Sequence, residues 1–468
     1  EIKIVSRFEF DSSKGAFSHM VLDKKTGNIY IGAMNKLYQF SSDLKLIKTA
    51  TTGPKDDNPN CQPDDSTAPC DQPKEAMNAY NKALVIDYNN NKLIACSSLY
   101  HGICERYSLR DIKPTNSDIY VPAVANDAAS TTVAFIAPGP PNGTSLSDVL
   151  YVAASRTSAG QSAIRDLVPA RASRNLKTFR LSSSKIIQAT LRDKFPVYYI
   201  YGFSSEKFSY IVTVQKQDPT TESYISKLIR VCQADKHYYS YAEMQLKCMH
   251  NGTRYNLVQA AYVAKAGSSL ATDMGISEDE DVLYVACSIG KPNTAIPGND
   301  SALCVYPLRR VRKIFTQNIK ACFDGIGNTG PSHVISQAAC MKTNVTIKDD
   351  YCGTYDYNTP IDGQNPIQTE ASITFNTTVS AVAVTTEFQD TIVFVGTVKG
   401  HIIKVLINSI PMETSYEYIT VEDGTKINAD MIFDSDERYL NVLTERVVNI
   451  ILTMYWIDVK NVFAVGAQ

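Results

Sequence analysis

The sequence predicts an all-β chain that forms a seven-bladed β-propeller, and three observations support this. A short apolar strand that ends in small residues occurs seven times. Most copies follow a polar turn such as Asp23 to Gly27, and an apolar strand precedes that turn, which is the pattern of a β-hairpin. Most intervals between copies suit one four-stranded blade with its loops. Two stacked β-sandwiches are the alternative architecture. The copies are Ile29–Ala33, Leu93–Ser97, Leu150–Ala154, Tyr210–Val214, Leu283–Cys287, Val393–Thr397 and Leu440–Thr444.

The beginning and the end of this repeat region are predicted to meet. Ile2 to Phe10 alternates like an edge strand, and we expect it to pair with the last blade beside Arg438 to Ile451. Such pairing closes the ring and removes an exposed sheet edge.

One interval is too long for a single blade. The chain between Leu283 and Val393 must carry an insertion around blade 5, and four cysteines in it would pin the extra loops. Arg309 to Ile319 can form a short amphipathic helix there, since Val311, Phe315 and Ile319 fall on one face.

The chain contains 11 cysteines. None forms the CxxC pair of zinc ribbons or thioredoxin-like motifs. Several stand in polar loops, such as Asn60-Cys61-Gln62-Pro63, which is typical of disulfides in oxidising compartments. This pattern favours an extracellular protein. Five sequons are compatible with secretion, but a chain of this composition contains about that many by chance. They begin at Asn142, Asn251, Asn299, Asn344 and Asn376.

Composition excludes some classes of partner. The formal net charge is −2, and no long Lys/Arg tract offers an electrostatic footprint for nucleic acid. The most basic stretch, Arg309 to Lys313, is interpreted as a solvated face and not as a protease cleavage site. Val447 to Trp456 is too short for a membrane span, so we expect no direct membrane insertion and no targeting segment.

Catalytic and cofactor motifs are not convincing in this sequence. Gly325 to Gly330 satisfies G-x-G-x-x-G, but no apolar strand precedes it, so we expect a loop and not a dinucleotide site. The histidines show no metal-binding spacing, and we expect no enzyme activity, cofactor or metal. The alternative is an extracellular propeller enzyme, a glycosidase-like hydrolase with two carboxylates converging on one pocket.

Several segments carry a resemblance to a known family. Residues 1 to about 446 resemble the extracellular sema domain of plexins, the semaphorin receptor family, in particular through the motifs NKLYQ, RDxVPA and Thr444-Glu-Arg446. The similar segments are Phe17 to Leu46, Ala95 to Leu109, Ile164 to Leu176, Tyr198 to Gln215 and Thr391 to Ile407.

The resemblance implies a role and a location. It implies a propeller that binds semaphorins in cell guidance signalling, as the outermost domain of a single-pass cell-surface receptor or as a secreted truncated form. Self-association would belong to the full receptor. The domain is expected to cover residues 1–446, and residues 447–468 depart from the family because they lack the cysteine-rich continuation.

The resemblance also implies a disulfide pairing, which spacing alone leaves open. Cys287 would remain unpaired, and it occupies the last position of a repeated strand, where a free thiol packs as a small apolar residue. The implied pairs are Cys61–Cys70, Cys96–Cys104, Cys232–Cys352, Cys248–Cys304 and Cys322–Cys340.

Two segments are the candidate semaphorin-binding rim. Ile164 to Lys185 shows no strand alternation, and the Cys322–Cys340 loop continues into Met341-Lys342-Thr343. Plexins present corresponding segments to their ligands, so this assignment rests on the resemblance. The candidate contact residues are Arg165, Asp166, Arg171, Arg174, Lys177, Lys342 and Thr343.

We expect at least three of the five sequons to carry a glycan, because each falls in a polar stretch. Asn344 is the sequon least favourable for glycan attachment, since it lies close to Cys340. Expression in a secretory host followed by glycosidase treatment and mass spectrometry measures occupancy. The absence of any mass shift would contradict extracellular routing.

Overall fold

The computed structural model describes residues 2–10, 15–62, 70–115, 120–142, 145–161, 165–166, 168–352, 359–410 and 416–453. Antiparallel sheets dominate this part of the chain and form seven blades. In each blade the second strand coincides with one of the seven predicted repeats.

Blades 1 to 3 follow each other along the chain, and a short hairpin joins the first two. Blade 1 contains β2 (Phe17–Leu22), β3 (Ile29–Ala33), β4 (Lys36–Phe40) and β5 (Leu46–Thr51). The hairpin is β6 (Lys55–Asp57) and β7 (Glu75–Met77). Blade 2 has three strands, β8 (Asn81–Asp87), β9 (Lys92–Ser97) and β10 (Cys104–Ser108). Blade 3 contains β11 (Thr132–Asn142), β12 (Ser145–Ala154), β13 (Arg171–Asn175) and β14 (Leu181–Lys185).

Blades 4 and 5 share one ten-stranded sheet, because the last strands of the two blades pair in parallel. Blade 4 contains β15 (Val197–Ser205), β16 (Phe208–Lys216), β17 (Tyr224–Cys232) and β18 (Ala242–His250). Blade 5 contains β20 (Leu257–Ala264), β21 (Val282–Gly290), β22 (Pro297–Pro307) and β24 (Ile367–Phe375). The short strands β19 (Thr253–Tyr255) and β23 (Ile361–Asp362) pair with β18, and helix α1 (Ser268–Met274) precedes β21.

Blades 6 and 7 complete the ring. Blade 6 contains β25 (Val379–Glu387), β26 (Asp390–Thr397), β27 (His401–Ile407) and β28 (Tyr416–Thr420). Blade 7 contains β29 (Ile432–Phe433), β30 (Tyr439–Leu443), β31 (Val447–Leu452) and, from the other end of the chain, β1 (Lys3–Glu9).

Seven buried apolar clusters hold the ring together, one at each boundary between neighbouring blades. The second strands supply both of their faces. In β3, Ile29 and Ile31 belong to the cluster between blades 7 and 1, whereas Tyr30 belongs to the cluster between blades 1 and 2. Because side chains alternate across a strand, an unbroken apolar run buries both faces. This explains why the repeats are apolar at most positions.

The predicted closure of the ring is confirmed. β1 pairs with β31 in antiparallel register from Lys3↔Leu452 to Glu9↔Val447. The propeller therefore continues past Arg446, which corrects the predicted domain end, since β31 lies between β30 and β1. Residues 454–468 of the predicted divergent segment lie outside the described residues.

The predicted insertion carries a longer helix than expected. Helix α2 (Leu308–Phe323) follows β22, and Val311, Phe315 and Ile319 all belong to the cluster between blades 4 and 5. The basic stretch forms the first turns of this helix, where Arg312 pairs with Glu206 at 2.7 Å.

The cysteines pair as the resemblance implied, and all eleven lie in described residues. The bonds join Cys61–Cys70, Cys96–Cys104, Cys232–Cys352, Cys248–Cys304 and Cys322–Cys340. Cys287 is free and buried. Burial raises the pKa of its thiol to about 12, so the reactive thiolate does not form near neutral pH.

Removing the long bridge should destabilise the fold more than removing the short one. The Cys232–Cys352 loop spans 120 residues, and the Cys61–Cys70 loop spans 9. Loop-closure entropy gives the long bridge about 4 kcal/mol, after shortening by the two bridges inside its loop, and the short one about 3 kcal/mol.

Chemical denaturation of the paired Cys→Ser variants at both bridges measures the difference. A larger loss of stability in Cys61→Ser/Cys70→Ser than in Cys232→Ser/Cys352→Ser would contradict this ranking.

Candidate functional site

The first candidate segment contributes a network of ion pairs at its start. Arg165 Nη1 lies 2.8 Å from Asp193 Oδ1, and Arg156 lies 3.0 Å from Asp193 and 2.5 Å from Asp166. Arg192 completes the network at 2.5 Å from Asp166. Three guanidinium groups thus face two carboxylates, which leaves one positive charge in excess. The carboxylates are about a third to a half exposed, so the network borders solvent.

The arginines hold both carboxyl groups ionised. Burial alone would raise the pKa of Asp166, but Arg156 and Arg192 lower it below its ordinary value. The hydrogen bond from Arg156 lowers the pKa of Asp193. The network therefore keeps its charge pattern across the physiological pH range.

Two predicted contact residues are buried, and their assignment to the rim was wrong. Arg171 and Arg174 lie in strand β13 and are 0% and 1% exposed. Arg174 Nη1 donates to the carbonyl of Phe179 at 2.9 Å and so holds the β13–β14 turn. Residues 171–175 and 181–185 form strands, although their sequence shows no apolar alternation.

Lys177 does lie on the surface. It is exposed in the turn between β13 and β14, where its backbone N–H donates to Asn175 Oδ1 at 2.9 Å. Ile164, the first residue of the predicted segment, lies outside the described residues.

The second candidate segment presents an apolar and a charged group together. Lys342 is exposed and forms an isolated β-bridge with Asp324, next to Gly325. The side chains of Ile326 and Met341 flank this bridge and are 65% and 80% exposed. Thr343 is half-buried, and its N–H donates to the Phe323 carbonyl at 2.8 Å.

The structure brings the two segments into contact through the residues that follow β14. Gln188 N donates to the His333 carbonyl at 2.8 Å. The imidazole of His333 stacks on Phe195, with the ring centroids 4.2 Å apart. The Cys322–Cys340 loop is therefore docked against the boundary of blades 3 and 4.

A buried charge cluster lies beneath this contact. Glu243 of β18 is 0% exposed, and its Oε1 lies 3.5 Å from Arg171 Nη2 and 3.3 Å from His333 Nε2. Its Oε2 lies 3.4 Å from Lys227 Nζ, which also binds Asp362 Oδ1 at 2.7 Å. Blade 3, blade 4 and the insertion thus each contribute charge to one cluster.

The balance of charges keeps Glu243 ionised. Burial alone would raise its pKa, but the positive groups around it hold the pKa well below the usual range. Arg171 is stabilised further by the rings of Tyr199 and Tyr241, whose centroids lie 5.6 and 5.5 Å from its guanidinium carbon.

The sequence held a weak signal for this cluster that was not used. Lys227 and Glu243 each stand next to an apolar residue, Leu228 and Met244, in the strands Tyr224–Cys232 and Ala242–His250. A charge at a buried strand position requires a partner. His333 and Asp362 gave no such signal because His333 lies in a loop of the insertion and Asp362 in its two-residue strand β23.

The central channel gives no support to the hydrolase alternative. It is a cavity of about 1040 Å³ lined by the first strands of the blades. Three of the four carboxylates that line it are engaged separately: Asp87 accepts from Asn90, Asp148 accepts from Asn89, and Asp430 accepts from Met20 N. A glycosidase requires two carboxylates that converge on one bond.

Other predicted features are placed as follows. Gly325 to Gly330 follows helix α2 and opens no helix. Among the described residues no group of three His, Cys, Asp or Glu side chains could hold a metal ion, and no helix is long and apolar enough to cross a membrane. Asn251, Asn299, Asn344 and Asn376 are exposed, whereas the side chain of Asn142 lies outside the described part.

Comparison with known proteins agrees with this architecture. The Sema domain family model matches residues 258–434. Plexin A3 of Danio rerio is 32% identical over 93% of this chain and 25% of its own length, and human Plexin-A2 is 31% identical over 95% and 25%. The chain thus spans about a quarter of the length of the curated relatives it matches.

Solved structures extend the comparison to the fold. The Plexin A4 full extracellular region superposes with a TM-score of 0.85 at 30% identity, over 97% of this chain and 47% of that chain. Drosophila Plexin A in complex with Semaphorin 1b gives a TM-score of 0.63 at 16% identity, over 97% and 87%, which shows the fold alone.

The seven closed blades and these matches define a sema domain. Its similarity to A-type plexins covers nearly the whole described chain at about 30% identity. The chain belongs to the plexin family as its extracellular sema domain.

Neutralising Glu243 should destabilise the fold strongly. Glu243→Gln leaves Arg171 and Lys227 buried with too little negative charge, at a cost of about 3–5 kcal/mol. Glu222→Gln is the matched control, because Glu222 is 67% exposed in its pair with Lys216 and should cost at most about 1 kcal/mol. Equal unfolding midpoints for the two variants in urea would contradict the role of the cluster.

Proposed function

We propose that this chain binds semaphorins extracellularly and catalyses no reaction. The observation that supports the proposal is the docking of the Cys322–Cys340 loop against blades 3 and 4, through residues that follow the first candidate segment. Membership of the plexin family supports the choice of ligand, since a plexin relative has been solved with Semaphorin 1b.

The proposed surface has two parts with different roles. The network of Arg156, Arg165 and Arg192 with its two aspartates carries excess positive charge at the rim. Net charge at the rim of an interface chiefly steers and accelerates association. Ile326 and Met341 are the apolar anchors, because exposed apolar side chains gain the most when a partner removes them from water.

The location follows from the covalent chemistry. Five disulfides stabilise loops and blades that would lose these bonds in a reducing cytosol. The single free thiol is buried, which suits an oxidising environment because it cannot exchange with the bridges.

Reversing one rim charge should weaken binding without affecting the fold. Lys342→Glu should raise the Kd for a semaphorin ectodomain about tenfold, mainly through slower association. Lys48→Glu is the matched control, because Lys48 is exposed on β5 of blade 1, away from the proposed surface. Surface plasmon resonance gives the rates, and thermal unfolding shows that both variants remain folded.

Met341→Ala tests the anchor separately, because loss of apolar contact should accelerate dissociation. Arg174→Glu, by contrast, should lower stability, because this side chain is buried. If Lys342→Glu and Met341→Ala bind like the wild type, the proposed surface is wrong. If no semaphorin binds the folded wild type, the proposed function is wrong.

A further inference from the structure

The buried cluster has a charge balance that depends on one histidine. Arg171 and Lys227 contribute two positive charges, and Glu243 and Asp362 contribute two negative charges. With His333 neutral, the cluster carries no net charge. A proton on His333 would add a positive charge to a site where His333 is 2% exposed and Glu243 is 0% exposed.

The groups around His333 oppose this proton. Burial lowers the pKa of His333 below its ordinary value of 6.5, and Arg171 and Lys227 lower it further, although Glu243 favours the charged form. Burial raises the pKa of Asp362, so acidification also moves this carboxyl towards neutrality. A proton on His333 makes the cluster positive as the pH falls, whereas the raised pKa of Asp362 in the docked chain opposes release by linkage, so the release depends on His333.

His333 also carries the main contacts of its loop with blades 3 and 4. Its ring stacks on Phe195 at an interplanar angle of 11°. Its carbonyl and that of Ser332 accept hydrogen bonds from the backbone N and the side-chain Nε2 of Gln188, at 2.8 and 2.5 Å. Displacement of His333 would therefore break both the ring stacking on Phe195 and the backbone hydrogen bond with Gln188.

We propose that Glu243 and His333 are positioning residues that hold the Cys322–Cys340 loop against blades 3 and 4 at neutral pH and release it as the pH falls. The loop is part of the candidate semaphorin surface, so the consequence for ligand release rests on the proposed function. The release itself is a property of the chain without ligand.

The direction follows from proton linkage. His333 binds its proton less tightly when the loop is docked than when it is released, where its pKa is near 6.5. The stabilisation of the docked loop is fully present above pH 6.5 and declines as the pH falls from there towards the lower, docked pKa. One proton gives at most about a tenfold change in the docking equilibrium per pH unit within this window.

Hydrogen–deuterium exchange of the unliganded chain tests the proposal. Exchange of peptides within residues 324–339, corrected for intrinsic rates, should rise up to about tenfold per unit as the pH falls below about 6.5. Peptides from β26 should show no such rise. His333→Gln cannot titrate, so its loop should exchange equally at all these pH values, and His237→Gln, a change at an exposed histidine, should behave as the wild type does.

The pH dependence of loop exchange in the wild type tests the proposal even if His333→Gln folds poorly. Loop exchange that is independent of pH between about 7.5 and 5 overturns the proposal. A folded His333→Gln with the wild-type pH dependence overturns it as well, because another group would then be responsible. Neither result depends on whether a semaphorin binds.

Discussion

The pairing of β1 with β31 is the constraint on which the rest of the fold depends. Each blade has apolar residues on both faces, so it is stable only between two neighbours. A ring satisfies this requirement for all seven blades only if it closes. Closure uses six paired positions between opposite ends of the chain, and it covers the outer edge of β31. The two ends of the described chain must therefore meet before all seven blades have both of their interfaces.

Within this ring, the boundary of blades 3 and 4 has a different chemistry. Every boundary buries an apolar cluster, and here Glu243, Arg171 and Lys227 are also buried as one ion cluster. A buried ion cluster adds little net stability compared with apolar residues. Any arrangement that displaces one of its partners is, however, strongly destabilised, because a buried charge is then left without compensation. It thereby specifies the position of the insertion more sharply than apolar packing would. A surface that recognises a protein partner requires such a defined position.

The sequence predicted the repeating parts of the molecule well. Ile29–Ala33 and its six counterparts were found because a strand buried on both faces is apolar throughout, and helix α2 was found because Val311, Phe315 and Ile319 share a face. Arg171 and Arg174 were misplaced because their strand is polar and shows no apolar alternation, so it resembles a loop, and the buried partner of Arg171, Glu243, is distant in sequence. Glu243 and His333 were missed for the same reason, since only the fold brings them to 3.3 Å.

The parallel pairing of β18 with β24 has a mechanical consequence. The other blades of the described chain are separate sheets, whereas backbone hydrogen bonds cross from blade 4 to blade 5. Cys248–Cys304 adds a covalent link between the same two blades. Tension applied at the insertion is therefore shared by ten strands, and this sector of the ring is its stiffest. Movement between blades under load is therefore expected at the other boundaries, where no strands of the described chain pair from one blade to the next.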